Sequence, residues 1–72
     1  MMNVDEANAI LRALDAGEGP MATAVLAERL SVSARQARRR LDNLRSSGLV
    51  RTEGRRGFVL TMVGRRAARL DR

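Results

Sequence analysis

The fold of this chain is indicated most clearly by residues 26–50, LAERLSVSARQARRRLDNLRSSGLV. Apolar residues spaced three or four apart form a helical face on each side of a short break: Leu26, Ala27 and Leu30 before it, and Ala37, Leu41 and Leu44 after it. The break, Ser31-Val32-Ser33, is tight, and Ser33 has a side chain that favours a helix N-cap. The stretch therefore predicts two helices, 21–31 and 34–47, joined by a tight turn, with the second ending at Gly48.

The residues before this stretch predict one more helix. Asn3 is a good N-cap, Glu6 lies three residues later as in a capping box, and Gly17 opens a turn, GEGP. The apolar stripe between them comprises Val4, Ala7, Ile10, Leu11 and Leu14. The start of the next helix is poorly marked. Thr23 is a possible N-cap, but no acid follows it at the capping-box position. Met21 and Ala22 form either a short strand or the approach to that helix.

The residues after the stretch predict a hairpin and a last short helix. Segments 49–53 and 57–61 are typical of strands, and Gly54-Arg55-Arg56-Gly57 joins them as a turn. Phe58 and Leu60 share the strand face that packs on the helices. Thr61 caps the last helix, whose apolar stripe is Val63, Ala67 and Leu70. The fold class is mainly α with a small β-hairpin. The 72 residues make a single domain, 1–72, because they leave no room for a second.

This order of elements is that of a winged helix-turn-helix, and the segments resemble those of MarR-type and Lrp/AsnC-type transcriptional regulators. Residues 26–50 resemble their helix-turn-helix, and LRSSGLV, 44–50, is similar to the exit from their recognition helix into the wing. FVLTMVGRRAARL, 58–70, resembles the MarR-type segment that closes the wing. The resemblance covers about residues 7–70 and implies a three-helix core, a β-wing and a short C-terminal helix.

The chain also departs from those families. Ser31 replaces the usual turn glycine, at a position where positive φ is expected. Arg40 occupies a position that is often apolar in MarR-type domains, although an arginine there is familiar in Lrp/AsnC-type ones. The long dimerisation helices of the first family and the effector domain of the second are missing, so dimer geometry cannot be inferred from the resemblance. No small-molecule effector is evident.

The charge of +6 is unevenly distributed, and every basic residue is an arginine. Residues 1–30 carry two arginines and five acids, net −3, whereas residues 31–72 carry twelve arginines and three acids, net +9. This asymmetry favours a polyanion partner on one side, and double-stranded DNA is the commonest. A GC-rich coding bias would explain arginine in place of lysine, but it would not explain the difference between the halves.

The composition excludes several other functions. With no cysteine and no histidine, the chain has no disulfide, thiol or imidazole chemistry, and the scattered acids predict neither an enzyme active site nor a metal site. No cofactor is expected. One aromatic residue, Phe58, is too few for stacking single-stranded bases. No apolar run is long enough for a membrane span, and the acidic N-terminus is unlike a signal peptide, so we expect a cytoplasmic protein.

The resemblance places helix 34–47 in the major groove, and its exposed face independently carries side chains suited to base edges. Arg35, Gln36 and Arg39 are the best base-reading candidates, with Arg38 and Asn43 beside them. Arginine would bind guanine, and glutamine or asparagine would bind adenine. Asp42 is interpreted as the partner of an arginine one turn earlier, in preference to a direct role at cytosine.

The remaining DNA-contact candidates are expected at the phosphate backbone. Ser33 either donates to a phosphate or serves only as the N-cap. Arg55 and Arg56 at the tip of the wing, 49–61, would lie on the backbone or in the minor groove. Alternatively, the tip is a solvated turn whose charge prevents edge-to-edge association. Arg51 and Arg65 are weaker backbone candidates.

These features predict a sequence-specific, double-stranded DNA-binding transcriptional regulator. Two alternatives are a winged-helix module that docks a replication or transcription complex through an acidic surface, and a nonspecific architectural DNA binder. We also expect a homodimer, because a domain of this size reads one half-site weakly. The first and last helices would supply the interface through Ile10, Val63, Leu70 and the terminal Met1-Met2.

Overall fold

The computed structural model describes residues 3–70, which form four helices and a two-stranded hairpin. In chain order the elements are α1 (Val4–Ala16), α2 (Thr23–Leu30), α3 (Ala34–Ser46), β1 (Val50–Thr52), β2 (Phe58–Leu60) and α4 (Met62–Leu70). This order confirms the predicted fold class, mainly α with a small β-hairpin.

Helix α1 begins where the sequence predicts. The Asn3 side chain accepts a hydrogen bond from the Glu6 backbone N–H at 2.8 Å and donates one to the Glu6 carboxylate at 3.3 Å. The helix runs to Ala16 and buries Ile10, Leu11 and Leu14 on the predicted stripe. Side-chain capping at one end and an apolar stripe along one face therefore account for its position.

The turn between α2 and α3 forces Ser31 into the left-handed region, with φ 56° and ψ 42°. Its N–H bonds to the Glu28 carbonyl at 3.2 Å, and the Val32 N–H bonds to the Ala27 carbonyl at 3.0 Å. This pair of hydrogen bonds is a Schellman motif, in which the left-handed residue is usually glycine. The expectation that Ser31 stands at a positive-φ position is confirmed.

The start of α2 differs from the prediction. The helix begins at Thr23, and Ala22 is its N-cap without a side-chain hydrogen bond, so Thr23 is not the cap. Met21 instead pairs with Phe58 in an isolated antiparallel bridge, with N–H to carbonyl distances of 3.0 and 2.9 Å. Each alternative for Met21 and Ala22 therefore holds in part: Met21 forms a one-residue β-bridge, and Ala22 is the approach to the helix. The partner of Met21 lies 37 positions away in the sequence, which is why no local pattern marked the bridge.

The hairpin is antiparallel, with Val50 opposite Leu60, Arg51 opposite Val59 and Thr52 opposite Phe58. Each strand is one residue shorter at each end than predicted. Leu49 donates its N–H to the Leu44 carbonyl at the exit from α3, and Thr61 begins the last helix. The predicted end pairs are nevertheless hydrogen-bonded, since the Thr61 N–H donates to the Leu49 carbonyl at 3.1 Å and the Glu53 N–H donates to the Gly57 carbonyl at 2.9 Å.

Helix α4 corrects the predicted apolar stripe. Thr61 caps it as expected, since the Gly64 N–H donates to Thr61 Oγ1 at 3.0 Å. However, Val63 and Leu70 are 60% and 85% exposed, and the buried residues are Gly64 and Ala68. Gly64 lies so close to the Leu49 backbone that a Cβ would overlap its carbonyl. Because of this close approach, the face of α4 that carries Gly64 packs against the rest of the domain, and the bulkier Val63 and Leu70 stay exposed.

All six elements contribute to one apolar core. Four large side chains are almost completely buried: Ile10, Leu26, Leu41 and Val50, one from each of α1, α2, α3 and β1. Phe58 and Leu60 of β2 and Ala68 of α4 complete the cluster, as their predicted inward orientation requires. No charged or polar side chain is buried within residues 3–70, so the functional groups lie at the surface.

Candidate nucleic-acid interface

Helix α3 has one apolar and one polar face. Ala37, Leu41 and Leu44 are buried against the core. The predicted base-contact side chains are all exposed on this helix: Arg35, Gln36, Arg38, Arg39 and Asn43. We call this group the α3 polar face. Because a helix presents residues three and four apart on one side, the burial of the apolar stripe brings these side chains together.

Two of the candidates form the cap of α3. The Ser33 hydroxyl oxygen accepts from the Gln36 N–H at 3.1 Å, and Gln36 Oε1 accepts from the Ser33 N–H at 3.2 Å. This reciprocal pair is a capping box, which the sequence contains as S-x-x-Q but which the sequence reasoning did not assign. Gln36 therefore has a structural role, and its Oε1 is already bonded.

Arg38 lies between α3 and the hairpin. Its Nε donates to Asp42 Oδ1 at 3.1 Å, which confirms the interpretation of Asp42 as an i,i+4 partner. Its guanidinium carbon lies 5.7 Å from the centroid of the Phe58 ring, within the range of a cation–π contact. These two contacts hold the side chain, which remains 58% exposed, against β2.

Arg40 points away from the α3 polar face. Its Nε lies 3.3 Å from Glu6 Oε2 of α1, and the two side chains are only 19% and 35% exposed. The position near the edge of the core agrees with the sequence reading. The ion pair joins the first and third helices, and it leaves Arg35, Arg38 and Arg39 as the exposed arginines in the first half of α3.

The hairpin carries its arginines at exposed positions: Arg51 on β1, and Arg55 and Arg56 at the tip. The two glycines of the tip have positive φ, 56° at Gly54 and 127° at Gly57. A Cβ on Gly57 would also overlap the Met21 carbonyl. The glycines are thus required by the turn and by its pairing with Met21, whatever the arginines contact.

The other candidates lie on different elements. Arg65 is exposed on α4, which packs mainly on α1 and β2, and it lines an open cleft with Leu14, Glu18 and Leu60.

The residues predicted to form a dimer interface differ in their exposure. Ile10 is completely buried, so its assignment to an interface is wrong. Val63 and Leu70 are exposed, and Met1-Met2 lies outside the described residues.

Residues 3–70 contain neither a candidate membrane span nor a candidate metal site. Within that range, no helix has the length and apolar character needed to cross a bilayer. The acidic side chains of the same residues nowhere gather in a group of three that could hold a metal ion.

Comparisons with known proteins match this architecture. In a solved structure, CymR (YrzC), the global cysteine regulator of B. subtilis, is 26% identical to this chain with a TM-score of 0.66. The match covers 83% of this chain and 52% of CymR, so this chain spans about half the length of that regulator. It supports the winged-helix fold, whereas the resemblance to MarR-type and Lrp/AsnC-type regulators in particular stays a prediction.

A search of curated proteins found no significant match. The family model described as "Helix-turn-helix domain" matches residues 9–53, which include α2, the Ser31 turn and α3. This match extends over more than half of the sequence, and the chain therefore belongs to that helix-turn-helix domain family.

Proposed function

We propose that the chain is a DNA-binding transcriptional regulator that recognises a specific double-stranded sequence, without enzymatic activity. The observation that carries the proposal is the α3 polar face on the second helix of a helix-turn-helix. That helix is the one which such motifs insert into the major groove. The structural likeness to a bacterial global regulator supports the same role.

Recognition of bases is assigned to the first half of α3. The Arg35 and Arg39 side chains are exposed one helical turn apart, and among residues 3–70 neither has a close ion pair like those that hold Arg38 and Arg40. A guanidinium can donate two parallel hydrogen bonds to guanine O6 and N7. Asn43 lies one turn beyond Arg39 and supplies both a donor and an acceptor.

Contacts to the backbone are assigned to the wing and the helix start. Arg55 and Arg56 extend from the tip, where a cation would bind phosphates or enter the minor groove. Arg51, exposed on β1, and Arg65, exposed on α4, are assigned as further backbone contacts. The Ser33 hydroxyl accepts from Gln36 N–H, and its own proton is still available for a phosphate oxygen. Its two proposed roles are therefore compatible.

We also propose that two copies act together in the cytoplasm. Of the five large apolar side chains that are exposed in residues 3–70, four belong to α1 and α4, namely Val4, Met62, Val63 and Leu70, and the fifth, Val25, lies on α2. A homodimer formed through α1 and α4 would place two α3 helices on half-sites about one helical turn apart. Light scattering at the concentration used for DNA binding measures the mass, and the mass of a single chain would contradict the dimer.

One titration tests the main proposal. The affinity for a random duplex and for a duplex selected from a random library is measured over a range of salt concentrations. A specific regulator shows a clear preference for the selected duplex, and its log–log salt slope is about −0.9 per phosphate contact. The same slope without the preference identifies an architectural binder. Absence of binding at ~50 mM salt contradicts the proposal and favours a protein-docking module.

A further inference from the structure

We infer that the base pairs contacted by the first half of α3 present guanines, so that the half-site is guanine-rich at adjacent major-groove positions. The inference rests on the proposed function and adds the chemical class of bases that this face recognises. It comes from the hydrogen-bonding capacity that remains at Arg35, Gln36 and Arg39 after the contacts within the chain are formed.

The capping box determines what Gln36 can offer. A free glutamine binds adenine by accepting from N6 and donating to N7. In this chain Gln36 Oε1 already accepts from the Ser33 N–H at 3.2 Å. The Nε2 group keeps two donors. Oε1 has one lone pair left, so a two-point contact with adenine has to share this oxygen with the capping box, whereas the Nε2 donors are not shared with it.

The neighbouring side chains are also donors. Arg35 and Arg39 carry guanidinium groups, which have no acceptor. The acid that follows them on α3, Asp42, is bonded to Arg38. The Ser33 hydroxyl oxygen already accepts from the Gln36 backbone. The first half of the α3 polar face is therefore richer in donors than in acceptors. Arg35 and Arg39 carry donors alone, and the oxygens of Gln36 and Ser33 each already accept one hydrogen bond within the chain.

A donor surface discriminates among the bases. Guanine shows two acceptors, N7 and O6, in the major groove, whereas adenine pairs its N7 acceptor with an N6 donor and cytosine shows an N4 donor. Thymine shows a single acceptor, O4, beside its methyl group. Donors facing N6 or N4 would be left unpaired, which is costly in a desolvated interface. Guanine is the base that accepts two donors side by side, so adjacent guanines satisfy this surface best.

The variant Gln36→Glu separates the two roles of this residue. Glutamate keeps the acceptor for the Ser33 N–H and is itself a usual capping-box residue. It removes the Nε2 donors, so folding is retained while guanine preference at one base position is lost. Ser46→Asp is the control, because it also adds one negative charge at an exposed position of the same helix, outside the box and at a residue with no proposed base contact. The added charge should weaken binding of both variants to any duplex, but only Gln36→Glu should change the preference at that position.

The experiment selects duplexes from a random library with the full chain and measures affinity for the enriched site by fluorescence anisotropy. We expect adjacent guanines in each half-site, and about a tenfold loss of affinity when 7-deazaguanine removes one contacted N7. Enriched sites with A·T pairs at these positions, or the same base preferences in Gln36→Glu and the unchanged chain, would overturn the inference and leave the proposed function standing. Absence of any enrichment over random duplex would overturn the proposed function, and the inference with it.

Discussion

At the scale of single residues, two helix ends show the same hydrogen-bond pattern with different residues. At the end of α3, Gly48 has φ 77°, and its N–H and that of Leu49 bond to the Arg45 and Leu44 carbonyls at 3.0 and 2.9 Å. Ser31 makes the equivalent turn after α2 with a side chain present. A left-handed conformation is costly for a residue with a Cβ, so the turn of the helix-turn-helix stores strain that the exit from α3 lacks.

Replacing Ser31 by glycine should therefore stabilise the domain. We expect the free energy of unfolding to rise by about 0.5–1 kcal/mol, because the relief of strain exceeds the extra entropy of a glycine in the unfolded chain. Thermal unfolding followed by circular dichroism would show a Tm higher by a few degrees. The reciprocal change, Gly48→Ser, should lower the Tm. A lower Tm for Ser31→Gly would contradict this, because it would show that the serine stabilises the turn in spite of its left-handed conformation.

Gly64 is the residue that sets the position of α4. Because a Cβ there would overlap the Leu49 carbonyl, Gly64→Ala should lower the free energy of unfolding by about 1–3 kcal/mol. Gly19 provides the control, since nothing lies within 4 Å of a Cβ built on it. Urea titration should place Gly19→Ala within about 0.5 kcal/mol of the unchanged chain. Equal midpoints for the two variants would contradict the close packing of α4 on the chain leaving α3.

At the scale of elements, one side chain connects α3, the hairpin and α4. The Thr61 hydroxyl donates to the Gly48 carbonyl at 2.6 Å and accepts from the Gly64 N–H at 3.0 Å. It follows β2 directly and stands at the start of α4, while its acceptor lies just beyond α3. The bond to Gly48 joins the end of β2 to the end of α3, and the bond from Gly64 caps α4, so the position of the hairpin relative to α3 depends in part on this one side chain.

The variant Thr61→Val keeps the shape of the side chain and removes both hydrogen bonds. It leaves the Gly48 carbonyl and the Gly64 N–H without this partner, so we expect a loss of about 1–3 kcal/mol in the free energy of unfolding. Thr61→Ser retains the hydroxyl and should stay within about 0.5 kcal/mol of the unchanged chain. Chemical denaturation of the three proteins compares these values. A loss in Thr61→Ser as large as that in Thr61→Val would contradict the role of the hydrogen bonds, because the serine keeps the hydroxyl and lacks only the methyl group.

The elements that the sequence predicts well are those with local markers. Asn3, Ser33, Gly48 and Thr61 are caps or stops, and the helices they bound lie within one or two residues of their predicted limits. The β-bridge at Met21 depends on Phe58, a partner distant in sequence, so a local pattern could not identify it. The buried face of α4 was misassigned because apolar character favours Val63 and Leu70, while the space beside Leu49 admits only Gly64.

The candidate site shows the same division. Exposure of the α3 polar face follows from helical periodicity, so the sequence predicts it. The capping box at Gln36 was visible as a local motif, but the amide was assigned to base recognition alone. The Arg38 contact with Phe58 and the Arg40 pair with Glu6 join separate elements. Sequence spacing cannot give such contacts, because they depend on how the elements pack.

At the scale of the whole molecule, the two charge halves of the sequence correspond to different elements. The half with net −3 contains α1 and α2, and the half with net +9 contains α3, the hairpin and α4. The Glu6–Arg40 ion pair joins the acidic half to the basic half, since it connects α1 to α3. In the function that we propose, the basic half has two roles: α3 recognises bases, and the wing binds the phosphate backbone.

The affinities of Arg39→Ala and Arg55→Ala for a selected site and for random duplex test whether α3 and the wing have these separate roles. We expect Arg39→Ala to cost about 1–3 kcal/mol on the selected site, to relax preference at one base position and to change binding to random duplex little. Arg55→Ala should weaken binding to both duplexes by the same factor and reduce the salt slope by about one contact. Equal effects of the two substitutions on both duplexes would show that α3 and the wing do not have separate roles.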